Sequence, residues 1–385
     1  MKNTAAVFLL ALLCCAPAGA ASLVPAPPSI NADAYLLLDY LTGEVLVAHN
    51  IDERLPPASL TKLMTSYILA EEVDAGRLTL DDEVTVSRNA WSQNPTFRGS
   101  SLMWIEPGKR VTVGELEKGI VISSGNDATV AIAEHIAGSE EAFVVLMNNY
   151  AEQLGLDATH FENTHGLPNP DHLTTARDLG VLAVATIRDH PERYKVYREL
   201  SYTYNDITQY NRNHLLREDE TVDGLKTGYT REAGYGLVAS AQRKGMRLVS
   251  VVMGSSSTAS RKAETRSLLN YGFRFYETVR PLPLGESLVE HRVWKGLSEQ
   301  VSLGVNEEIV LTLPRSRAEL SQSIEVEAPL LAPLRKGDIV GQVVLSRDGE
   351  SVAEIPLEVL AGVEAAGFFA RLWDTIVLWF QGLFG

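Results

Sequence analysis

The chain predicts an α+β fold, on three observations. Strand signals cluster near its start, helical periodicity fills its middle, and short β-rich runs return towards its end. A length of 385 residues with 45% apolar and 22% charged content is ample for a large core and more than one domain.

Residues 1–20 read as a signal peptide. Lys2 is the positive start, Ala5 to Cys15 the apolar stretch, and Ala18-Gly19-Ala20 supply small residues for cleavage, so the mature chain is expected to begin near Ala21. An N-terminal core helix or membrane anchor is the alternative, but the apolar run falls short of the roughly 20 residues a spanning helix needs. Cys14 and Cys15 both lie in the segment, and Leu13 stands where a lipoprotein signal wants a small residue. The mature chain then holds no cysteine, which excludes disulfides, a thiol nucleophile and a thiolate metal site, and suits an oxidising envelope compartment.

The first domain is expected over residues 21–280. Tyr35 to Tyr40 and Val45 to His49 are apolar strands about a Thr42-Gly43 turn. Ser59 is predicted to open a helix running to about Val73, with Leu63, Met64, Tyr67, Ile68 and Glu71 at helical spacing. Further helices are expected at Val113 to Ile122, Ala128 to Ala137, Glu140 to Leu154 and Thr175 to Arg188, the last opened by a capping box of Thr175 and Asp178. A hairpin follows, Leu237 to Gln242 and Leu248 to Met253 about Lys244-Gly245, then a helix from about Lys262 to Phe275.

Around Arg280-Pro281-Leu282-Pro283 helical periodicity vanishes. Runs at Ile309 to Leu313, Ser323 to Glu327, Gln342 to Leu345 and Ala353 to Val359, with an Asp348-Gly349 turn, predict a small β domain over residues 281–361 without a catalytic cluster. Residues 362–385 form an amphipathic segment, with Phe369, Leu372, Trp373, Ile376, Val377, Phe380, Leu383 and Phe384 on one side. Arg371, Asp374, Thr375 and Gln381 lie opposite. Its longest unbroken apolar run, Ile376 to Phe380, is too short to span a bilayer, so it is read as an in-plane anchor on a membrane surface rather than a helix docked on the protein. It lacks the basic face that usually aids such binding.

The formal charge is −15, and loss of Lys2 with the signal leaves 33 basic against 49 acidic residues, or −16. Nucleic acid is thereby disfavoured as a partner. The sequence contains no glycine-rich phosphate loop, no internal repeat and no His or Asp spacing suited to a metal, so neither cofactor nor metal is expected.

Three short motifs carry the chemistry. Ser59-Leu60-Thr61-Lys62 is Ser-x-x-Lys, Ser124-Gly125-Asn126 is Ser-x-Asn, and Lys226-Thr227-Gly228 is Lys-Thr-Gly. Each is weak alone: the first is a near-chance match, the second recurs at Ser87-Arg88-Asn89 and Ser92-Gln93-Asn94, and the third could be an ordinary loop. Together and in this order they match the set shared by class A β-lactamases and penicillin-binding proteins.

Elementary chemistry agrees. On a helix, residues i and i+3 share a face, which sets the Lys62 amine beside the Ser59 hydroxyl as its base. That lysine must lose its proton readily, through burial or a second cation, for which Lys226 is the expected candidate. The N–H groups of Ser59 and Tyr229 suit a two-donor oxyanion hole, worth about 3 to 4 kcal/mol per donor in other hydrolases. Ser124 is expected to relay a proton to the leaving amine, Asn126 to hold a substrate amide, and Lys226 and Thr227 to receive a terminal carboxylate. A carboxylate pocket beside an acyl-transfer centre describes a carboxypeptidase.

The chain resembles the low-molecular-mass penicillin-binding proteins of the D-alanyl-D-alanine carboxypeptidase family over nearly all its mature length. The resemblance rests on Pro56 through Thr65, Val222 through Gly228, and Asn211-Arg212-Asn213. It implies a penicillin-binding, β-lactamase-like transpeptidase domain, an antiparallel sheet with a helical subdomain, followed by the β domain and the anchor. It further implies a periplasmic enzyme, secreted across the inner membrane and held on the outer face of the cytoplasmic membrane. Such an enzyme trims peptidoglycan pentapeptides and is blocked covalently by β-lactams. By the same resemblance Arg212 lies near the substrate carboxylate and Arg261 close to the site. Tyr229 stands where relatives often have His. The alternatives are a DD-endopeptidase of the same clan, a β-lactamase, for which the required Glu-x-x-Leu-Asn segment is missing, and a non-catalytic envelope protein that binds peptidoglycan.

Overall fold

The computed structural model describes residues 24–315 and 319–384; the expected signal segment, with Cys14 and Cys15, lies outside the described residues. Five antiparallel strands form the central sheet: β1 (Ala34–Asp39), β2 (Val45–His49), β3 (Val222–Thr230), β4 (Gly234–Arg243) and β5 (Met246–Ser255), in the order β2-β1-β5-β4-β3. Side chains alternate across a strand, and β1 shows what that does here. Leu36 and Leu38 enter the large core shared with the helical block, while Leu37 enters a second core on the opposite face.

At the centre of the helical block is α1 (Lys62–Asp74). Every residue from Lys62 to Ala70 is buried, as a helix surrounded on all sides requires. Its start differs from the expected one: Ala58–Thr61 form a separate 3₁₀ turn, and regular α-helix begins only at Lys62. The helix expected at Val113 to Ile122 is divided too. α2 (Val113–Lys118) gives way to a π-type turn over Gly119–Ser123, which delivers Ser124 in the left-handed conformation at φ 62°.

α3 (Asn126–Ala137), α4 (Glu140–Gln153) and α5 (Ala176–Asp189) lie where periodicity puts them, within two residues at each end. The capping box at Thr175 is only half formed. Thr175 Oγ1 accepts the Asp178 N–H, but the Asp178 carboxylate turns to Ala158 N and Thr159 Oγ1. A complete box stands instead at Thr112 and Glu115, at the start of α2. α6 (Thr258–Phe275) places Leu268 and Leu269 in the second core, against the face of the sheet opposite α5.

A second β-rich body follows. β6 (Tyr276–Val279) leaves α6 and pairs antiparallel with β9 (Leu311–Pro314). Between them run β7 (Val289–Trp294) and β8 (Gln300–Gly304), neither apparent from sequence. With β10 (Ser321–Val326), β11 (Leu330–Leu331), β12 (Ile339–Arg347) and β13 (Glu350–Val359) they form a six-stranded sheet, ordered β10-β12-β13-β8-β7-β11, over its own core. Asp39, fully buried at the end of β1, binds the hydroxyls of Thr278 and Thr312 and ties the two bodies together.

The last element is α7 (Phe368–Phe384), where Phe369 is 83% exposed and Trp373 67%. Its polar side faces the protein at one point, where the Asp374 carboxylate accepts the Lys295 N–H at 2.5 Å. Among the described residues no helix is long and apolar enough to cross a membrane.

Candidate active site

The three motifs converge on one cleft of about 360 Å³, lined among others by Ser59, Ser124, Asn126, Thr227, Arg212 and Arg261. Each reaches it for a local reason. In the 3₁₀ turn, side chains at i and i+3 eclipse more closely than in an α-helix, and Lys62 Nζ lies 3.2 Å from Ser59 Oγ. The π-type turn swings Ser124 out at the head of α3, and Asn126 opens that helix. Lys226-Thr227-Gly228 sits within β3 itself rather than in a loop before the hairpin. A side chain at Gly228 would come within 3.0 Å of Pro57 O and 3.2 Å of Leu60 N, so glycine lets β3 pass close beside the Ser59 turn.

Lys62 is fully buried and makes three hydrogen bonds: to Ser59 Oγ, to Asn126 Oδ1 at 2.7 Å and to His165 O at 2.7 Å. A neutral amine has two N–H donors and one lone pair. Asn126 and His165 take the donors, which leaves the lone pair for the Ser59 hydroxyl. Burial pushes the amine down to about 7, helped by the Arg212 guanidinium and opposed by Asp127. Arg212 thus joins Lys226, the expected second cation, as a positive neighbour of Lys62. Lys226 is itself held well below the usual lysine range by burial and then by Lys62, Arg212 and Arg261. Its ammonium donates to Ser124 Oγ at 2.9 Å and to Thr227 O at 3.1 Å.

Asn126 is also engaged at its other end, where Nδ2 donates to Ser100 Oγ at 2.9 Å. With both ends held, it positions the lysine in this state, beyond the substrate-binding part expected of it. Arg212 is exposed at the cleft, presented by Asn211 and Asn213, whose buried side chains are spent on backbone groups. Arg261 is buried and donates to Gly228 O and Gly236 O, both at 3.2 Å, with burial lowering it to about 10. It braces the β3–β4 pair from behind Tyr235, on which the exposed Tyr229 ring stacks at 4.2 Å.

Sequence reasoning missed the carbonyl of His165, Ser100 and Asp127. The buried Asp127 carboxylate accepts the N–H groups of Met103, Trp104 and Ile105 and so fixes the loop that carries Ser100. Only Asp127 had a sequence signal, as an acid directly after Ser-x-Asn. The two other Ser-x-Asn matches are local turn devices: Ser87 Oγ accepts from Asn89 and Ala90, and Asn94 Oδ1 from Thr96. None of the residues lining the cleft is a carboxylate, and no metal-binding cluster of His, Cys, Asp or Glu occurs among the described residues. An activated hydroxyl, a buried base and a cationic rim are the equipment of acyl transfer to a substrate with a free carboxylate.

Comparison with known proteins points the same way. Residues 21–257 match the family model described as D-alanyl-D-alanine carboxypeptidase, and residues 276–365 that of the penicillin-binding protein 5 C-terminal domain. The chain is 46% identical over 362 residues to D-alanyl-D-alanine carboxypeptidase DacC of Escherichia coli, covering 93% of this chain and 90% of that protein. Among solved structures, penicillin-binding protein 5 of Haemophilus influenzae superposes with a TM-score of 0.80 at 42% identity, covering 88% of this chain and 99% of that one. Penicillin-binding protein D2 of Listeria monocytogenes, solved with ampicillin bound, matches with a TM-score of 0.57 at 30% identity, over 65% of this chain and 100% of that one.

Proposed function

The chain belongs to the D-alanyl-D-alanine carboxypeptidase family, and from that premise we propose that it releases the terminal D-alanine of peptidoglycan stem peptides through an acyl-enzyme on Ser59. The observation that carries this reading is the buried Lys62 amine, 3.2 Å from Ser59 Oγ, held by Asn126 Oδ1 and His165 O and brought down by burial to about 7.

In the proposed reaction Lys62 takes the Ser59 proton as Oγ attacks the carbonyl of the penultimate D-alanine. The backbone N–H groups of Ser59 and Tyr229 receive the developing oxyanion. Ser124, held by Lys226, passes a proton to the departing amine, and D-alanine leaves. Arg212 and Thr227 hold its carboxylate, Arg261 and Gly228 keep the β3–β4 edge in place, and Asn126 sets the lysine and meets the substrate amide. Water then opens the ester. β-Lactams are expected to acylate the same serine, in keeping with the relative solved with ampicillin bound. A β-lactamase of class A requires a carboxylate to activate the deacylating water, and the cleft lining holds none.

The first domain carries this chemistry and the second serves as its support. The N-terminal segment fits secretion to the periplasm. Exposed Phe368, Phe369, Trp373 and Trp379 on α7, with Asp374 turned to the protein, support attachment to a membrane surface.

Intact-protein mass spectrometry after exposure to penicillin and to a pentapeptide ending in D-alanyl-D-alanine tests the reading. A long-lived penicillin adduct on Ser59, with turnover of the peptide and loss of one alanine, is expected. Rapid penicillin hydrolysis with an inert peptide would overturn it.

A further inference from the structure

The residue directly before Ser59 holds an unusual backbone. Ala58 is 3% exposed and sits at φ 49°, in the left-handed region that a side-chain-bearing residue rarely occupies. Such a conformation persists only where its surroundings over-determine it. Three groups converge on the Ala58 carbonyl and its neighbour. Thr61 Oγ1 donates to Ala58 O at 2.8 Å, and the same hydroxyl meets His172 Nε2 at 2.7 Å. Gly166, at φ 86°, closes over them so tightly that a Cβ there would fall 1.8 Å from Ala58 O.

The direction of the chain of hydrogen bonds is determined. His172 Nδ1 accepts the Glu162 N–H at 2.9 Å, so Nδ1 carries no proton and Nε2 carries one. Nε2–H therefore donates to Thr61 Oγ1, whose own proton points to Ala58 O. His172 is 2% exposed and Thr61 1%. Burial holds the imidazole down to about 4, which keeps it neutral and the order of donors intact. The loop from His160 to Thr174 that supplies His172 also supplies the His165 carbonyl to Lys62, so one segment sets both the nucleophile's turn and its base.

We propose that Thr61 and His172 are positioning residues that lock Ala58 in its left-handed conformation and thereby aim Ser59 at Lys62. The proposal rests on Ser59 being the acylated residue. Neither side chain touches the cleft: Thr61 occupies a free position of Ser-x-x-Lys, and His172 belongs to no motif. Their effect falls on the acylation step, because loss of the lock lets Ser59 leave the eclipsed position over Lys62 while the carboxylate rim stays in place.

The test measures acylation by penicillin, with kcat and KM for the pentapeptide and the thermal midpoint, for wild type, Thr61→Val, Thr61→Ser, His172→Phe and His172→Gln. Thr61→Val should slow acylation roughly 100-fold, the scale of an ångström-sized misplacement, and lower kcat with little change in KM. Thr61→Ser, which keeps the hydroxyl, should stay within about threefold of wild type. His172→Gln, with a donor near Nε2, should recover much of what His172→Phe loses, and the Val and Phe changes combined should cost little more than the worse of them. Wild-type acylation by Thr61→Val, with only its thermal midpoint lowered, would reduce the pair to core packing and overturn the proposal. If that variant does not fold, the two His172 variants decide: a slow Phe with a restored Gln supports it, equal rates overturn it. A penicillin adduct on another residue of the wild type would instead defeat the Ser59 reading itself.

Discussion

The start and the centre of strand β3 treat charge in opposite ways. At its start Asp223 pairs with Arg247 at 2.8 Å and accepts the Tyr194 hydroxyl at 2.7 Å; burial pulls Arg247 down, but that carboxylate and Tyr194 hold it above its ordinary range. Three residues on, Lys226 is 2% exposed, bonds only to a hydroxyl and a carbonyl, and has cations for electrostatic neighbours. Lys62 beside it shares that setting. The carboxylate that acts on it, Asp127, is already occupied by backbone N–H groups. A buried charge with a partner is bound into the fold, whereas one without a partner is poised to give up its proton or to receive an anionic ligand. Folding alone does not explain why the centre of the strand sets Lys226 beside Lys62 where one carboxylate would relieve both. Acyl transfer to a carboxylate-bearing peptide does.

The largest effect expected from this contrast is at Lys62. Lys62→Met should reduce the acylation rate by about a thousandfold, within the range carried by a positioned base. In the wild type, the amine is neutral above about 7 and protonated below it, so acylation should fall as pH drops through that value. Stopped-flow acylation by a fluorescent penicillin from about pH 5 to about pH 9 measures it, and a profile flat to the acid end would break the contrast.

At Asp223, the paired start of the strand, the effect should be on stability. Asp223→Asn keeps a hydrogen-bonding oxygen for Tyr194 but leaves Arg247 without its charge partner. A loss of about 1–3 kcal/mol in urea unfolding is expected, short of a fully buried pair because both side chains keep some exposure. Acylation by the folded variant should stay near the wild-type rate. A tenfold loss there would mean that the start and the centre of β3 are not separable.

The smallest effect is expected on α7, which carries one Arg and one Asp and commits the Asp to Lys295 N. Co-sedimentation with phospholipid vesicles should change less than about twofold between low and high salt, since no cationic face is there to be screened. A strong salt dependence, or more binding as anionic lipid is added, would show that charges elsewhere on the chain take part.

Much of this was legible in the sequence where the signal is periodic. α4 buries a single stripe of Phe143, Met147 and Ala151 at helical spacing, α3 and α5 bury broader apolar faces, and β1 and β5 are mostly apolar runs covered on both faces. β7 and β8 escaped notice because Val289–Trp294 and Gln300–Gly304 are short and only partly buried, so their alternation is diluted by polar residues. The motif residues could be named from order alone, but not their electrostatics. That Arg212 also bears on Lys62 depends on distances between loops far apart in the chain. The His165 carbonyl could not be read at all, since a backbone oxygen carries no residue code. Ala58 likewise gives no warning of a left-handed backbone, which is imposed by Thr61, Gly166 and His172 from elsewhere.

The ladder between β6 and β9 gives the second body a mechanical meaning. Four residue pairs from Tyr276↔Pro314 to Val279↔Leu311, reinforced by Asp39 with Thr278 and Thr312, join the bodies by a braced corner instead of a single strand. Such a corner behaves as a bracket and not as a tether. If α7 rests on a surface, the cleft would work at a set height above it and sweep a thin layer of its polymeric substrate.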